Sequence, residues 1–328
     1  PKLHQQAGYT FAISTLIEKS GWQSGGVHIH PTIAMPARAA MMSLIQTYTC
    51  DRVEVWGALQ RAACVLVALL IATFGIQAQA ADGFASTKPT QRVEYWQKRE
   101  ADIAVQLRDT EALSKVKLVF LGDSITDFWQ LDDNPWVTGQ LFGKQSWDES
   151  FTGVPAENLA LNLGISGDRT EHVLYRILPA SAGGLGQLDA PELRPDVILV
   201  LIGVNNTWAE ETPVVDSVVA GIVQVLAAAH ARKPDAHIVL QSLIPTSDAV
   251  KNRDVLLPVN RRIADLAASP QFSAFVSYLD LYPLFADAAG QQVSGYFVND
   301  GVHPNQTGYR IWRDRLVPYL LELRARRP

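Results

Sequence analysis

Lys115-Val116-Lys117-Leu118-Val119-Phe120-Leu121-Gly122-Asp123-Ser124-Ile125-Thr126 is the stretch from which the rest of the chain can be read. A short apolar, partly β-branched run empties into Gly-Asp-Ser, the pattern of a buried strand that ends in a polar turn. In an open α/β sheet, ligands sit beyond the carboxyl ends of the strands, which is where this turn carries Ser124. A serine there is either a nucleophile or the cap of the following helix. The stretch alone does not choose between them.

The same punctuation recurs outward from it. Residues 158–163 (NLALNL) end at Gly164, and residues 196–202 (DVILVLI) close at Gly203. Residues 237–243 and 275–279 read as a fourth and a fifth strand. Helical spacing covers 90–110, 169–178, 214–231, 255–268 and 308–324. Asp168, with Glu171 three residues later, has the form of a capping box for the second of these helices. Strands alternating with helices imply a mainly parallel sheet covered on both faces. The expected fold is therefore α/β: a three-layer α/β/α sandwich around a mostly parallel five-stranded sheet. No internal repeat or low-complexity tract interrupts it.

Composition narrows the function. Of 328 residues 48% are hydrophobic and 19% charged, as in a soluble globular protein. A net charge of -5 gives no reason to expect a nucleic-acid partner. Cys50 and Cys64 both precede residue 81, so the later part has neither a disulfide framework nor a thiolate metal site. Residues 1–40 show no sustained period, and His28 and His30 lack the further ligands a metal site needs. They read as an upstream, non-native segment ahead of a start at Met41 or Met42.

Residues 41–80 have the pattern of a secretory signal. Arg52 and Arg61 supply positive charge, residues 62–76 (AACVLVALLIATFGI) are uncharged, and Ala78-Gln79-Ala80 matches a small-residue cleavage site. The apolar run is shorter than the roughly twenty residues needed to span a bilayer. Cys64 lies before most of that run, which argues against a lipoprotein. The expectation is a periplasmic or secreted protein, cleaved after Ala80, with 81–328 as one catalytic domain and no stable membrane insertion. Asp51 and Glu54 are unusual in a leader, and an uncleaved anchor is the alternative.

Three strands end in small polar sets: Gly122-Asp123-Ser124, Gly164-Ile165-Ser166-Gly167 and Gly203-Val204-Asn205-Asn206. A free N–H at Gly164 and the carboxamide of Asn205 are donors of the kind that stabilise an oxyanion. Any one of these turns, taken singly, is equally an ordinary βα connection. A serine nucleophile needs a base, usually histidine. His4, His28 and His30 lie in the leader, His230 at a helix end, His237 at a strand start and His172 inside a helix. His303 differs. It sits in Asn299-Asp300-Gly301-Val302-His303-Pro304, where Pro304 favours an extended backbone and can begin the last helix. Asp300, three residues back across a glycine turn, is close enough to fix the imidazole tautomer.

Together these pieces resemble the SGNH hydrolases, also called the GDSL esterase/lipase family. Residues 122–125 (GDSI) match its first block, 162–167 (NLGISG) the second, 203–206 (GVNN) the third and 300–303 (DGVH) the last. The match spans about residues 115–315 in the correct order, and implies a flavodoxin-like SGNH fold. It implies Ser124 as nucleophile, His303 as base and Asp300 as its orienting partner, with Ser124 N–H, Gly164 N–H and the Asn205 side chain as the oxyanion hole. Residues 167–176 (GDRTEHVLYR) look like the branch holding platelet-activating-factor acetylhydrolase catalytic subunits and bacterial acetylesterases, which commonly remove short acyl groups. Asn206 stands where aspartate is frequent in the superfamily, and leaves the assignment of Asn205 untouched. The Gly-x-Ser-x-Gly elbow of α/β-hydrolases is absent around Ser124.

Phe128, Trp129, Trp136, Trp147 and Trp208 follow the first and third strands and suit either core packing or a substrate wall. Trp208, three residues after Asn205, is the candidate for substrate binding. The expected activity is hydrolysis of short-chain, chiefly acetyl, esters of a small molecule or glycan, without metal or cofactor. A lysophospholipase or other lipid-ester hydrolase is the alternative within the class, and an acyltransferase would use the same triad. A catalytically dead binding module would be expected to lack Ser124, Asp300 or His303. A metal phosphoesterase would need more Asp and His ligands at the strand ends. The oligomeric state is not readable from the chain.

Overall fold

The computed structural model describes residues 83–92, 95–133, 139–208 and 211–326. The expected signal peptide, its cleavage site and Trp136 lie outside the described residues. Five strands form one sheet: β1 (Leu118–Gly122), β2 (Ala160–Asn162), β3 (Val197–Leu201), β4 (His237–Gln241) and β5 (Val276–Leu279). All neighbours are parallel and the order is β2-β1-β3-β4-β5. The sequence predicts a mostly parallel sheet; the structure makes it wholly so, in the three-layer α/β/α arrangement expected.

The main helices are α1 (Tyr95–Gln106), α2 (Thr110–Lys115), α3 (Ser124–Asp127), α4 (Lys144–Ser150), α5 (Thr170–Ile177), α6 (Val214–Arg232), α7 (Leu257–Ala268) and α8 (Gln306–Arg326). The central strands are apolar on both faces because helices cover both. Val119, Leu121, Ile198 and Val200 point into a core with Trp96, Leu174, Ile222 and Ile263. Leu118, Phe120, Leu199 and Leu201 point the other way, onto Trp129, Trp147, Phe151 and Trp312. A period of two hidden in a continuous apolar run thus feeds two cores.

Several boundaries differ from the sequence reading, and three of them have a cause in the local bonding. The second strand begins only at Ala160, because residues 156–158 form a 3₁₀ turn. Asp168 does not cap α5. Arg169 occupies the cap position, its N–H donates to His172 Nδ1 at 2.9 Å, and Thr170 N–H donates to Asn206 Oδ1 at 3.0 Å. Pro304 does not begin the last helix; Asn305 Oδ1 accepts the N–H groups of Thr307 and Gly308 and caps it.

The sheet order has a consequence for function. The chain leaves β1 for β2 on one side and returns to β3 on the other, so the crevice between the ends of β1 and β3 is a topological switch point, where ligands bind in open α/β sheets. Ser124 follows β1 and Asn205 follows β3.

Candidate active site

Gly122 closes β1, and Asp123 turns the chain into α3 by accepting the Ile125 N–H on Oδ1 at 2.9 Å. This places Ser124 in the first turn of α3, only 4% exposed. Tyr309 of α8, fully buried, donates its hydroxyl to Ile125 C=O at 2.8 Å and ties α3 to the last helix.

From β5 the chain travels to a loop that returns over Ser124. Val298 N–H donates to His303 C=O at 2.9 Å, and Ser247 N–H, after β4, donates to Gly301 C=O at 2.8 Å. The loop is thus fastened to itself and to the neighbouring strand end. Asp300 Oδ1 accepts the N–H groups of Val302 at 2.8 Å and His303 at 3.0 Å, while Oδ2 meets His303 Nδ1 at 2.7 Å. His303 Nε2 lies 2.7 Å from Ser124 Oγ. Phe128 packs its ring 4.8 Å from the imidazole, centroid to centroid.

The protonation pattern follows from these partners. Burial works to raise the Asp300 carboxyl, but the bonds from His303 and Val302 outweigh it and hold the group below its ordinary value. An ionised Asp300 can only accept, so Nδ1 carries the imidazole proton and Nε2 presents its lone pair to the serine hydroxyl. Such a series can draw the proton from Ser124 Oγ as a bond forms to a carbonyl carbon. The other described histidines are occupied elsewhere: His172 accepts at the start of α5, His230 stacks on Phe275, and His237 meets Ser277 Oγ.

The donors around Ser124 depart from the sequence reading at one point. Gly164 N–H is not free: it donates to Asn162 Oδ1 at 2.8 Å. Asn162 Nδ2 in turn donates to Thr126 C=O at 2.9 Å, so this side chain stitches the end of β2 to α3. Glycine is required at 164 for another reason, since a Cβ there would lie 2.4 Å from Asp127 N and 2.7 Å from Thr126 C. Three residues on, a tight turn is closed by Asp168 N–H donating to Ile165 C=O at 3.1 Å, with Gly167 at φ +79°. The N–H groups of Gly167 and Ser124 have no protein acceptor among the described residues. The signal that could have found Gly167 is the second glycine of NLGISG, followed at once by a buried aspartate.

Asn205 donates one N–H of its carboxamide to Asp168 C=O at 2.8 Å. That bond fixes the amide plane, and the second N–H has no other protein acceptor among the described residues. Trp208 is 51% exposed, with Lys251 Nζ 3.7 Å above its ring. Trp129 and Trp147 are buried in the aromatic core. A cleft of about 570 Å³ lies at the opposite end of the sheet, lined by Lys117, Asp196 and Ala236 just before β1, β3 and β4, far from this chemistry.

The all-parallel 2-1-3-4-5 sheet with helices on both faces is a three-layer α/β/α sandwich, with Ser124, His303 and Asp300 in series beyond its strand ends. Residues 120–311, more than half of the chain, match the GDSL-like Lipase/Acylhydrolase family, and the chain belongs to that family of carboxylic ester hydrolases. It is 28% identical over 214 residues to platelet-activating factor acetylhydrolase IB subunit alpha1 of Homo sapiens, covering 64% of this chain and 77% of that one. Against the Bos taurus protein of the same name it is 28% identical over 198 residues, with 59% and 70% covered. Among solved structures it is similar to a GDSL-like lipase from Bacteroides thetaiotaomicron, at TM-score 0.49 and 17% identity, covering 70% of this chain and 98% of that one. A carbohydrate esterase family 3 protein from Talaromyces cellulolyticus is similar at TM-score 0.45 and 21% identity, covering 63% and 97%.

Proposed function

We propose that the protein is an exported serine esterase that removes short acyl groups, acetyl foremost, from a glycan or other small-molecule ester. Ser124 Oγ attacks the ester carbonyl as His303 Nε2 takes its proton. Asp300 holds the imidazole in the Nδ1–H tautomer and stabilises the imidazolium that forms. His303 returns the proton to the leaving alcohol, and water then releases the acyl group from Ser124 with the same histidine as base. Ser124 N–H, Gly167 N–H and the second N–H of Asn205 receive the oxyanion, with Gly167 taking the place first given to Gly164. Trp208 walls the mouth on the β3 side.

The observation that carries this reading is the pair of 2.7 Å contacts joining Asp300, His303 and Ser124 in series. The acyl preference is supported by the acetylhydrolases among the relatives. Export is supported by the signal pattern of residues 41–80, and would bring the enzyme to glycan esters outside the cytoplasm.

Purified protein assayed without added metal on p-nitrophenyl esters of increasing chain length, beside acetylated xylan, tests the reading. Fastest turnover on the acetate, lost in Ser124→Ala, is expected. Peak activity on long acyl chains would favour a lipid ester, and a Ser124→Ala protein with most of its activity would place the nucleophile elsewhere. The exported protein should begin at or near Ala81 by N-terminal sequencing; an intact leader on membrane-bound protein would indicate an anchor.

A further inference from the structure

A densely bonded set of buried charges lies beside the site without touching Ser124 or His303. Arg176 on α5 and Asp168 are both fully buried. Arg176 Nε donates to Asp168 Oδ2 at 2.9 Å and Nη2 lies 2.8 Å from the same oxygen. The same guanidinium donates from Nη1 to Leu163 C=O at 2.8 Å and Gln187 Oε1 at 2.7 Å, and from Nη2 to Gly122 C=O at 3.3 Å. One side chain therefore holds the last residue of β1, the residue after β2 and the aspartate that follows Gly167.

A second guanidinium reaches Asp168 from a distant part of the chain. Arg92 Nη1 donates to Asp168 Oδ1 at 3.1 Å and to Ser166 C=O at 2.8 Å, and its side chain is 26% exposed. It also roofs Gly167, where a Cβ would lie 2.8 Å from Arg92 Nη2. The segment that delivers it is strapped down. Ser86 C=O accepts from Thr170 Oγ1, Ser86 Oγ donates to Ser217 C=O, and Thr90 N–H donates to Glu171 C=O. This segment lies outside residues 120–311, the part that matches the family.

Isolated, a buried carboxylate is unfavourable, and these two guanidiniums offset part of that cost. The arrangement does more than neutralise a charge, because it fixes the backbone of residues 166–168. The carbonyl of Asp168 is the acceptor that orients the Asn205 carboxamide at 2.8 Å. We propose that the Arg92–Asp168–Arg176 cluster is the positioning device of the oxyanion side, and that Arg92 is a positioning residue supplied to the site from outside the family core. Its action passes through Asp168 C=O to Asn205, and through residues 166–168 to the Gly167 N–H.

The inference rests on the proposed role of Asn205, and a double-mutant cycle on p-nitrophenyl acetate separates the two. Asn205→Ala, Arg92→Gln and the double variant are compared for kcat, KM and melting temperature. Arg92→Gln should lower kcat by about 10- to 100-fold with KM little changed, as expected of a misplaced group. In the Asn205→Ala background the same change should cost much less, because part of what it positions is gone. Arg92→Lys should recover part of the loss, since it keeps the charge but not the fork of donors. An unchanged kcat in Arg92→Gln, or the same factor in both backgrounds, overturns the inference even if Asn205→Ala is itself impaired. An Asn205→Ala enzyme with normal kcat would instead remove the oxyanion reading beneath it. Arg176→Lys, read the same way, adds a second arm, and the Arg92 arm stands alone if that buried variant does not fold.

Discussion

The two sides of Ser124 are built in opposite ways. On the His303 side the acting groups are joined by two short contacts, and the Asp300 and His303 side chains are 33% and 20% exposed. On the Asn205 side, Asp127, Asp168 and Arg176 are buried, and with Arg92 and Arg99 they form a continuous lattice of ion pairs and backbone bonds. Arg99 Nε reaches both Asp127 Oδ1 at 2.9 Å and Gly164 C=O at 3.2 Å. The difference teaches a division of labour. A proton-transfer relay, as proposed for the first side, changes charge in each cycle and is served by partly exposed side chains, whereas donors aimed at a developing charge work best when they do not reorganise.

Mutations can break that comparison in order of effect. Ser124→Ala should lower kcat by roughly 10⁴–10⁶ while the melting temperature holds, since the hydroxyl contributes one contact to the fold. Asp300→Asn should cost about 10⁴ in kcat through the wrong imidazole tautomer, at nearly unchanged stability. If it instead unfolded the protein, the relay side would be as structural as the other. Asn205→Ala should lower kcat by about 10²–10³ with KM little changed, because the donor acts mainly on the transition state. A loss of melting temperature with kcat intact would make Asn205 a turn residue.

The smallest effect on turnover is expected at Asp123, where the two sides meet. Its Oδ2 has no hydrogen-bond partner among the described residues, and burial pushes the carboxyl up to about 8, aided by the nearby Asp168 and Asp127 charges and opposed by the Ile125 N–H. In the unfolded chain an aspartate loses its proton near pH 4. Between about 4 and 8 the folded protein therefore holds a proton that the unfolded chain releases, so this group makes stability fall as pH rises through that window and level off above it. Denaturant unfolding of wild type and Asp123→Asn at pH 5, 7 and 9 checks this. The asparagine keeps the Ile125 acceptor and should show a flatter profile, and equal slopes would mean that Asp123 is ionised in the fold.

Most of the fold was legible because the central strands are uninterrupted apolar runs that stop at glycine, as at Gly122 and Gly203. The contact of Asp300 with His303 was legible because the two residues share one short turn, so it is local. The second side was not. Gly164 looked like a donor, yet its need is steric, and only the approach of Thr126 and Asp127 reveals that. Asp168 stood at the right spacing for a helix cap, but two arginines, one eight residues later and one 76 residues earlier, claim its carboxylate. Side-chain pairs of that sequence separation leave no periodicity to read. The helix start they vacate is filled by Asn206 from the end of β3, which no local pattern announces.

Trp208 offers one further consequence, an optical one. It is the large exposed aromatic among the described residues, while Trp96, Trp129, Trp147 and Trp312 are sealed in the two cores. A collisional quencher therefore reaches one described indole far more readily than these four. Because the ammonium of Lys251 sits 3.7 Å over that ring, iodide is drawn to it and caesium repelled. The ratio of quenching by the two ions reports the local field at this rim directly, in the resting enzyme and with product bound.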